Sequence, residues 1–193
     1  MTEENAPGGP TPFQRILRGR RSIRRYLETP VESWKLRACL EAARLAPSAH
    51  NAQPCRIVVV DEPALKAELA AAAFSGLYSV TKFAAKAPVL LVLLAKRHLV
   101  AHHLGARFQK VPYYLVDMGI AGEHIVLQAE ELGLATCWLG WINYRRVRKV
   151  LRLPRKFKIV AMMPLGYAEK RPQREPPRKG FDEVAFFNRV PGE

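Results

Sequence analysis

Short apolar blocks alternate with polar and charged ones along this chain, and their spacing predicts an ordered run of helices and strands. Residues 1–12, rich in Pro and Gly, read as a flexible tail. Phe13, Ile16 and Leu17 share one side of a short helix over 13–18. After Thr29-Pro30, an apolar side made by Trp34, Ala38 and residues 40–43 predicts a helix over 32–45, stopped by Pro47. The β-branched run 55–60 reads as a buried strand. Asp61 is expected to cap the next helix, with Pro63 in its first turn, running to about Phe74 before Ser75-Gly76 breaks it. Residues 88–95 give a second buried strand, and 96–110 show no sustained period. The best helix covers 113–132, apolar around most of its circumference, with Gly133 as its stop. Residues 135–141 are extended, Asn143 caps a helix over 144–153 that Pro154 ends, and 157–163 form a third buried strand. The basic, Pro-rich stretch 168–179 and the aromatic end 181–187 bury little alone and are expected to lie across another surface.

Strands alternating with helices predict a single domain over 13–193 of the α+β class, an α/β/α sandwich with a small mixed sheet. Hydrophobic residues make up 49% and charged residues 25%, which excludes a disordered chain. The apolar run 87–95 is nine residues long, short of the roughly 20 needed to span a bilayer as a helix. The acidic N-terminus has no apolar segment of the signal-peptide kind, so a cytoplasmic location is expected. Cys39, Cys55 and Cys137 are widely spaced and read as small core residues, not as a disulfide framework or zinc site. His98 and His102 stand one helical turn apart, but no nearby acid or cysteine completes a ligand set, and no metal is expected.

Charge changes the picture. Thirty-one Lys plus Arg against 17 Asp plus Glu leave a formal net charge of +14, which argues for anionic partners. Eight of the 15 residues 144–158 are Lys or Arg. A nucleic-acid-binding role would use that stretch, although aromatic interleaving and a known binding motif are absent. The denser signal is Arg20, Arg21, Ser22 and Arg24, three guanidinium groups and a hydroxyl within five residues, a set suited to a fixed oxyanion such as phosphate. A second stretch, Ala-Pro-Ser-Ala-His-Asn-Ala-Gln-Pro at 46–54, follows about 20 residues later.

Together these motifs resemble the FMN-dependent nitroreductase family. The likeness runs through residues 20–26, Pro30-Val31, 46–54 and 87–89, and through Asp117-x-Gly119-x-Ala121-x-Glu123. It continues in 132–140, in Leu165-Gly-Tyr167 and in Arg178-Lys179, covering nearly all the chain beyond residue 12. The resemblance implies an intertwined homodimer with two FMN sites at the subunit interface. Arg20, Arg21, Ser22 and Arg24 would hold the phosphate and ribityl chain and reach the pyrimidine edge. Pro47, Ser48 and Asn51 of the other subunit would line the opposite flank. Leu139 and Gly140 would offer backbone N–H groups to the flavin nitrogen that takes the hydride, and Arg178 with Lys179 would return to the phosphate. No catalytic side chain is required, because the flavin carries the chemistry.

The implied reaction is ping-pong hydride transfer from NADH or NADPH to an electron-poor nitroaromatic, quinone or activated alkene. Dehalogenation, flavin fragmentation and reduction coupled to an acidic, ferredoxin-like electron carrier stay open as other tasks for the same cofactor. Two positions depart from the pattern: Cys55 stands where Trp often follows Gln-Pro, and Gly180 where Pro is common.

Overall fold

The computed structural model describes residues 9–96 and 111–190, so the His98–His103 stretch lies outside the described residues. Four strands, β1 (Cys55–Val60), β2 (Val89–Lys96), β3 (Ala135–Thr136) and β4 (Phe157–Gly166), form one sheet in the order β1-β2-β4-β3. Among the described residues every ladder is antiparallel, which corrects the expected mixed sheet; the parallel component there is one bridge between Ser22 and Thr136. β2 and β4 occupy the centre and are buried almost throughout. β1 is an edge strand and only half-buried, because apolar composition does not separate an edge from a centre. The β2–β4 register slips between Leu93 and Leu94, leaving Val160 unpaired in a bulge.

Five α-helices occur among the described residues: α1 (Pro12–Gly19), α2 (Ser33–Arg44), α3 (Pro63–Ala73), α4 (Tyr113–Glu131) and α5 (Tyr144–Val150). Two apolar layers result. On one face Leu90, Val92, Leu94 and Met162 meet Leu69 and Ala73 of α3 and Val147 of α5. On the other, Leu91, Leu93, Met163 and Leu165 meet Cys39 of α2 and Met118, Ile125 and Ala129 of α4. The molecule is thus an α+β sandwich with helices on both faces of the sheet.

Local chemistry sets the boundaries. Thr11 and Gln14 form a reciprocal cap, so α1 starts at Pro12, one residue ahead of the expected helix. Glu62, not Asp61, caps α3, because its longer carboxylate reaches the N–H groups of Ala64 and Leu65 at 2.9 and 2.6 Å. α4 closes in a Schellman turn. The Leu134 N–H reaches the Ala129 carbonyl at 2.8 Å, the Gly133 N–H reaches Glu130 at 3.0 Å, and Gly133 sits at φ +75°. Asn143 caps α5 through Arg146 N–H at 3.1 Å. α5 stops at Val150, with Arg152 at φ 48°, ahead of Pro154.

The segment Gly76–Lys86 winds as consecutive 3-10 turns between α3 and β2. Beyond β4 the chain is held at Arg171, whose guanidinium grips both Glu130 carboxylate oxygens at 2.8 and 2.7 Å and the Leu134 carbonyl at 2.8 Å. From Pro172 to Val190 the backbone runs nearly free of regular structure apart from the turn Phe181–Glu183, and Phe181, Val184, Phe186 and Phe187 are exposed.

Candidate functional site

One helix, α4, holds both motif segments. Residues 20–24 leave α1 and run beside Thr136, with the Ile23 N–H donating to the Thr136 carbonyl at 3.0 Å. That bond buries Ile23 and leaves Ser22 and Arg24 at the surface. Arg20 lies 3.9 Å from Glu123 of α4, whose second oxygen accepts the Trp138 indole N–H at 3.2 Å. Trp138 packs so closely on Gly122 that a methyl group there would stand 2.1 Å from its ring. Glu123 thus stands between Arg20 and the Trp138 indole that packs on Gly122.

Arg21 folds back, with Nη1 donating to the Arg18 and Arg20 carbonyls. Its Nε–H is buried and has no hydrogen-bond acceptor among the described residues. A buried, unpaired guanidinium donor costs free energy that an anion in this loop would recover.

The second motif sits near the start of α4. Asp117, 4% exposed, accepts the Ala49 N–H at 2.9 Å and pins the 47–51 turn. Ser48 Oγ accepts the Gln53 N–H at 2.9 Å, and Asn51 Oδ1 accepts the Gln53 side-chain amide at 2.8 Å. His50, Asn51 and Gln53 all adopt positive φ, at 51°, 52° and 44°. Three non-glycine residues in the left-handed region within four positions store strain of the kind that clusters at ligand sites. Pro47 and Asn51 are exposed and Ser48 is half-buried.

Asp117 and Glu123 are six positions apart, about 9 Å along the axis at about 1.5 Å per residue. The two motifs are thus anchored at different heights on α4, and no hydrogen bond or ion pair joins them among the described residues.

The loop after β3 gives a third component. Leu139 N–H donates to the Met162 carbonyl at 2.9 Å and Met162 returns the bond at 3.0 Å. The Leu139 N–H is therefore committed, and of the two expected backbone donors Gly140 remains. Gly140 is exposed, its N–H meets no acceptor among the described residues, and a side chain there would meet open space. The Tyr144 hydroxyl braces the loop through the Gly140 carbonyl at 2.8 Å and lies 3.4 Å from the carbonyl of the bulged Val160. Arg178 and Lys179 are exposed on the terminal segment, and no bond among the described residues ties them to the 20–24 loop.

Burial pushes the Cys39 and Cys55 thiols up to about 11 and raises Cys137 as well. Thiols so disfavoured as thiolates are not poised nucleophiles. Among the described residues, no group of three His, Cys, Asp or Glu could hold a metal ion, and no helix is long and apolar enough to cross a membrane. Sequence reasoning missed the holding roles of Asp117 and Glu123. Their signal was present, as acids interrupting an otherwise apolar helix.

The same architecture occurs in solved structures. A nitroreductase family protein from Clostridium novyi NT is 30% identical, with a TM-score of 0.72 over 82% of this chain and 88% of that one. An FMN-dependent nitroreductase from Clostridium difficile R20291 is 27% identical, with a TM-score of 0.71 over 91% and 98%. Among curated proteins, a Thermus thermophilus protein named NADH dehydrogenase is 36% identical over 174 residues, 77% of this chain and 82% of the relative. Residues 17–82 and 81–167 match the model of the Nitroreductase family, and the chain belongs to that family.

Proposed function

We propose that this protein is an FMN-dependent oxidoreductase that moves electrons from NADH or NADPH to an electron-poor small molecule, the two reactants taking turns at one site. The observation that carries the reading is the buried, unpaired Arg21 Nε–H within a loop that also presents Arg20, Ser22 and Arg24. The loop fits the dianionic phosphate of FMN, and the names of the Clostridium difficile and Thermus relatives support the cofactor and the nicotinamide donor. Bound FMN would supply the capacity to accept and return an electron pair.

The chain's own residues bind and orient. Arg20 and Arg24 would neutralise the phosphate, with Glu123 limiting how far Arg20 can swing. The open Gly140 N–H would stabilise negative charge on the ring, and Gly140 lets backbone approach closely. Because the 47–51 turn is anchored apart from the cationic loop, it serves as the opposite wall most readily in a second subunit. The exposed apolar residues on α1, at the start of α4 and in the terminal segment support such a dimer, with Arg178 and Lys179 reaching a phosphate within it.

The test is titration with FMN. Arg20→Ala and Arg178→Ala should each weaken FMN affinity about tenfold or more, since hydrogen bonds to charged groups contribute about 1.5–3 kcal/mol. Arg155→Ala, on an exposed turn, should leave it unchanged. Protein that stays colourless in excess FMN and gains no thermal stability would sink the reading.

A further inference from the structure

Gly140 is followed by a residue that is at once fixed and open. The Trp141 indole N–H donates to the Leu77 carbonyl at 2.8 Å, and its ring lies 5.6 Å from Tyr78 at an interplanar angle of 50°. Its own carbonyl lies 3.1 Å from the Thr81 hydroxyl, which is shared with the Tyr78 carbonyl at 2.8 Å. Yet Trp141 is 58% exposed, and Leu77, whose carbonyl it meets, is exposed as well. Trp138, three residues earlier, is packed against Gly122. Holding an indole rigid while leaving it in water removes in advance the ordering cost of stacking a ligand ring on it.

Tyr144, whose hydroxyl donates to the Gly140 carbonyl, lines a groove of about 540 Å³ with Leu115, Arg145 and Lys158. Among the described residues that line the groove, the charged side chains, Arg145, Arg148 and Lys158, are all cationic. Two of its cations are already engaged. Arg148 donates to the Leu153, Pro154 and Phe157 carbonyls, and Lys158 donates to the Tyr114 hydroxyl at 2.8 Å. Arg145 is exposed and makes no hydrogen bond or ion pair among the described residues.

We infer that Trp141, backed by Tyr78, is the stacking face for a planar, electron-poor ring bearing an anionic group, and that Arg145 receives the charge. This rests on the oxidoreductase reading and narrows it: the site favours aromatic acids over neutral aromatic and aliphatic acceptors. An electron-rich indole face complements an electron-poor ring, and a cation beside other cations complements a carboxylate or phosphate. Such a ring could be that of the acceptor or the nicotinamide of the donor, and two probes separate these sources.

The experiment is calorimetric titration of oxidised, FMN-loaded protein without turnover, using 4-nitrobenzoate, nitrobenzene and nicotinamide mononucleotide. Trp141→Leu, which keeps apolar bulk, should weaken 4-nitrobenzoate about tenfold, and Trp141→Phe should weaken it less. Arg145→Gln should weaken 4-nitrobenzoate but leave nitrobenzene unchanged. Trp34→Phe, which removes an exposed indole on α2, should alter neither. If the losses fall on the mononucleotide alone, the indole serves the donor: the stacking face and its cation stand, and the preference among acceptors is overturned. Equal affinities in wild type and Trp141→Leu for both anionic probes, or no binding of either to wild type, would overturn it. Retained FMN in each variant certifies its fold. Wild-type protein that takes up no FMN defeats the preceding reading instead, so the two failures are distinct.

Discussion

Glu32 shows how much a single exposed side chain can report. The Tyr167 hydroxyl donates to its carboxylate at 2.5 Å, and the Lys35 ammonium lies 3.1 Å away and donates to the same hydroxyl at 2.7 Å. The Tyr167 bond, the local backbone and Lys35 together hold the Glu32 carboxyl down at about 2. A depressed carboxyl stabilises the fold above its unfolded pKa, near 4.5, and loses that contribution as pH falls toward 2. Wild type should therefore melt above Glu32→Gln at neutral pH, the gap closing between about pH 4.5 and pH 2 and narrowing in high salt. A melting difference that does not change with pH would contradict this.

At this scale the sequence was legible in what it groups locally: Arg20, Arg21, Ser22 and Arg24 do share one loop beside Thr136, while their part in binding belongs to the proposed function. It was opaque where a residue acts by reaching across the fold. Asp117 holds Ala49 from 68 positions away and Arg171 holds Glu130 from 41, pairings that no local period encodes.

Among elements, those with a strong period matched their sequence reading. β1 occupies 55–60 as expected, and α4 ends at the glycine stop. What escaped was the 3-10 segment Gly76–Lys86, although Leu77, Val80 and Phe83 recur every third residue, the repeat of a 3-10 helix. β3 lies within the stretch 135–141 read as extended, although two residues carry no alternation that would mark them as a strand.

The junction between α4 and the terminal segment depends on Arg171. Arg171→Ala removes three charge-assisted contacts and leaves Glu130 half-buried without its cation. The expected cost is about 1–3 kcal/mol, read as a lower urea midpoint. Arg171→Lys should recover little, since one ammonium cannot span both carboxylate oxygens and the Leu134 carbonyl. Full recovery by Lys would mean that charge alone matters there.

For the whole molecule, the apolar surface outweighs what one isolated copy needs. Phe13 and Leu17 on α1, Tyr113, Leu115 and Val116 at the start of α4, and Phe181, Val184 and Phe187 in the terminal segment are all exposed. Exposed apolar patches of this kind mark association surfaces. Sedimentation at low micromolar concentration should give a dimer, and a monomer with full flavin occupancy would refute the shared site. The net charge of +14 does not oppose pairing outright, because 8 of its basic residues lie within 144–158 and not on α1 or α4.

The terminal segment from Pro172 to Val190 makes the state of assembly readable with a protease. Trypsin cuts after Lys and Arg but is blocked when Pro follows, so Arg171-Pro172 resists while Arg174-Glu175, Arg178-Lys179 and Lys179-Gly180 are open bonds on exposed backbone. A segment laid across a second subunit cannot thread into a protease cleft. Its scission rate should fall as protein concentration rises and fall again when FMN is added, while cleavage at unit rate under all conditions would show the segment free. With the falling rates expected, the tail is a clock that runs only in unpaired copies and times how long a subunit stands alone.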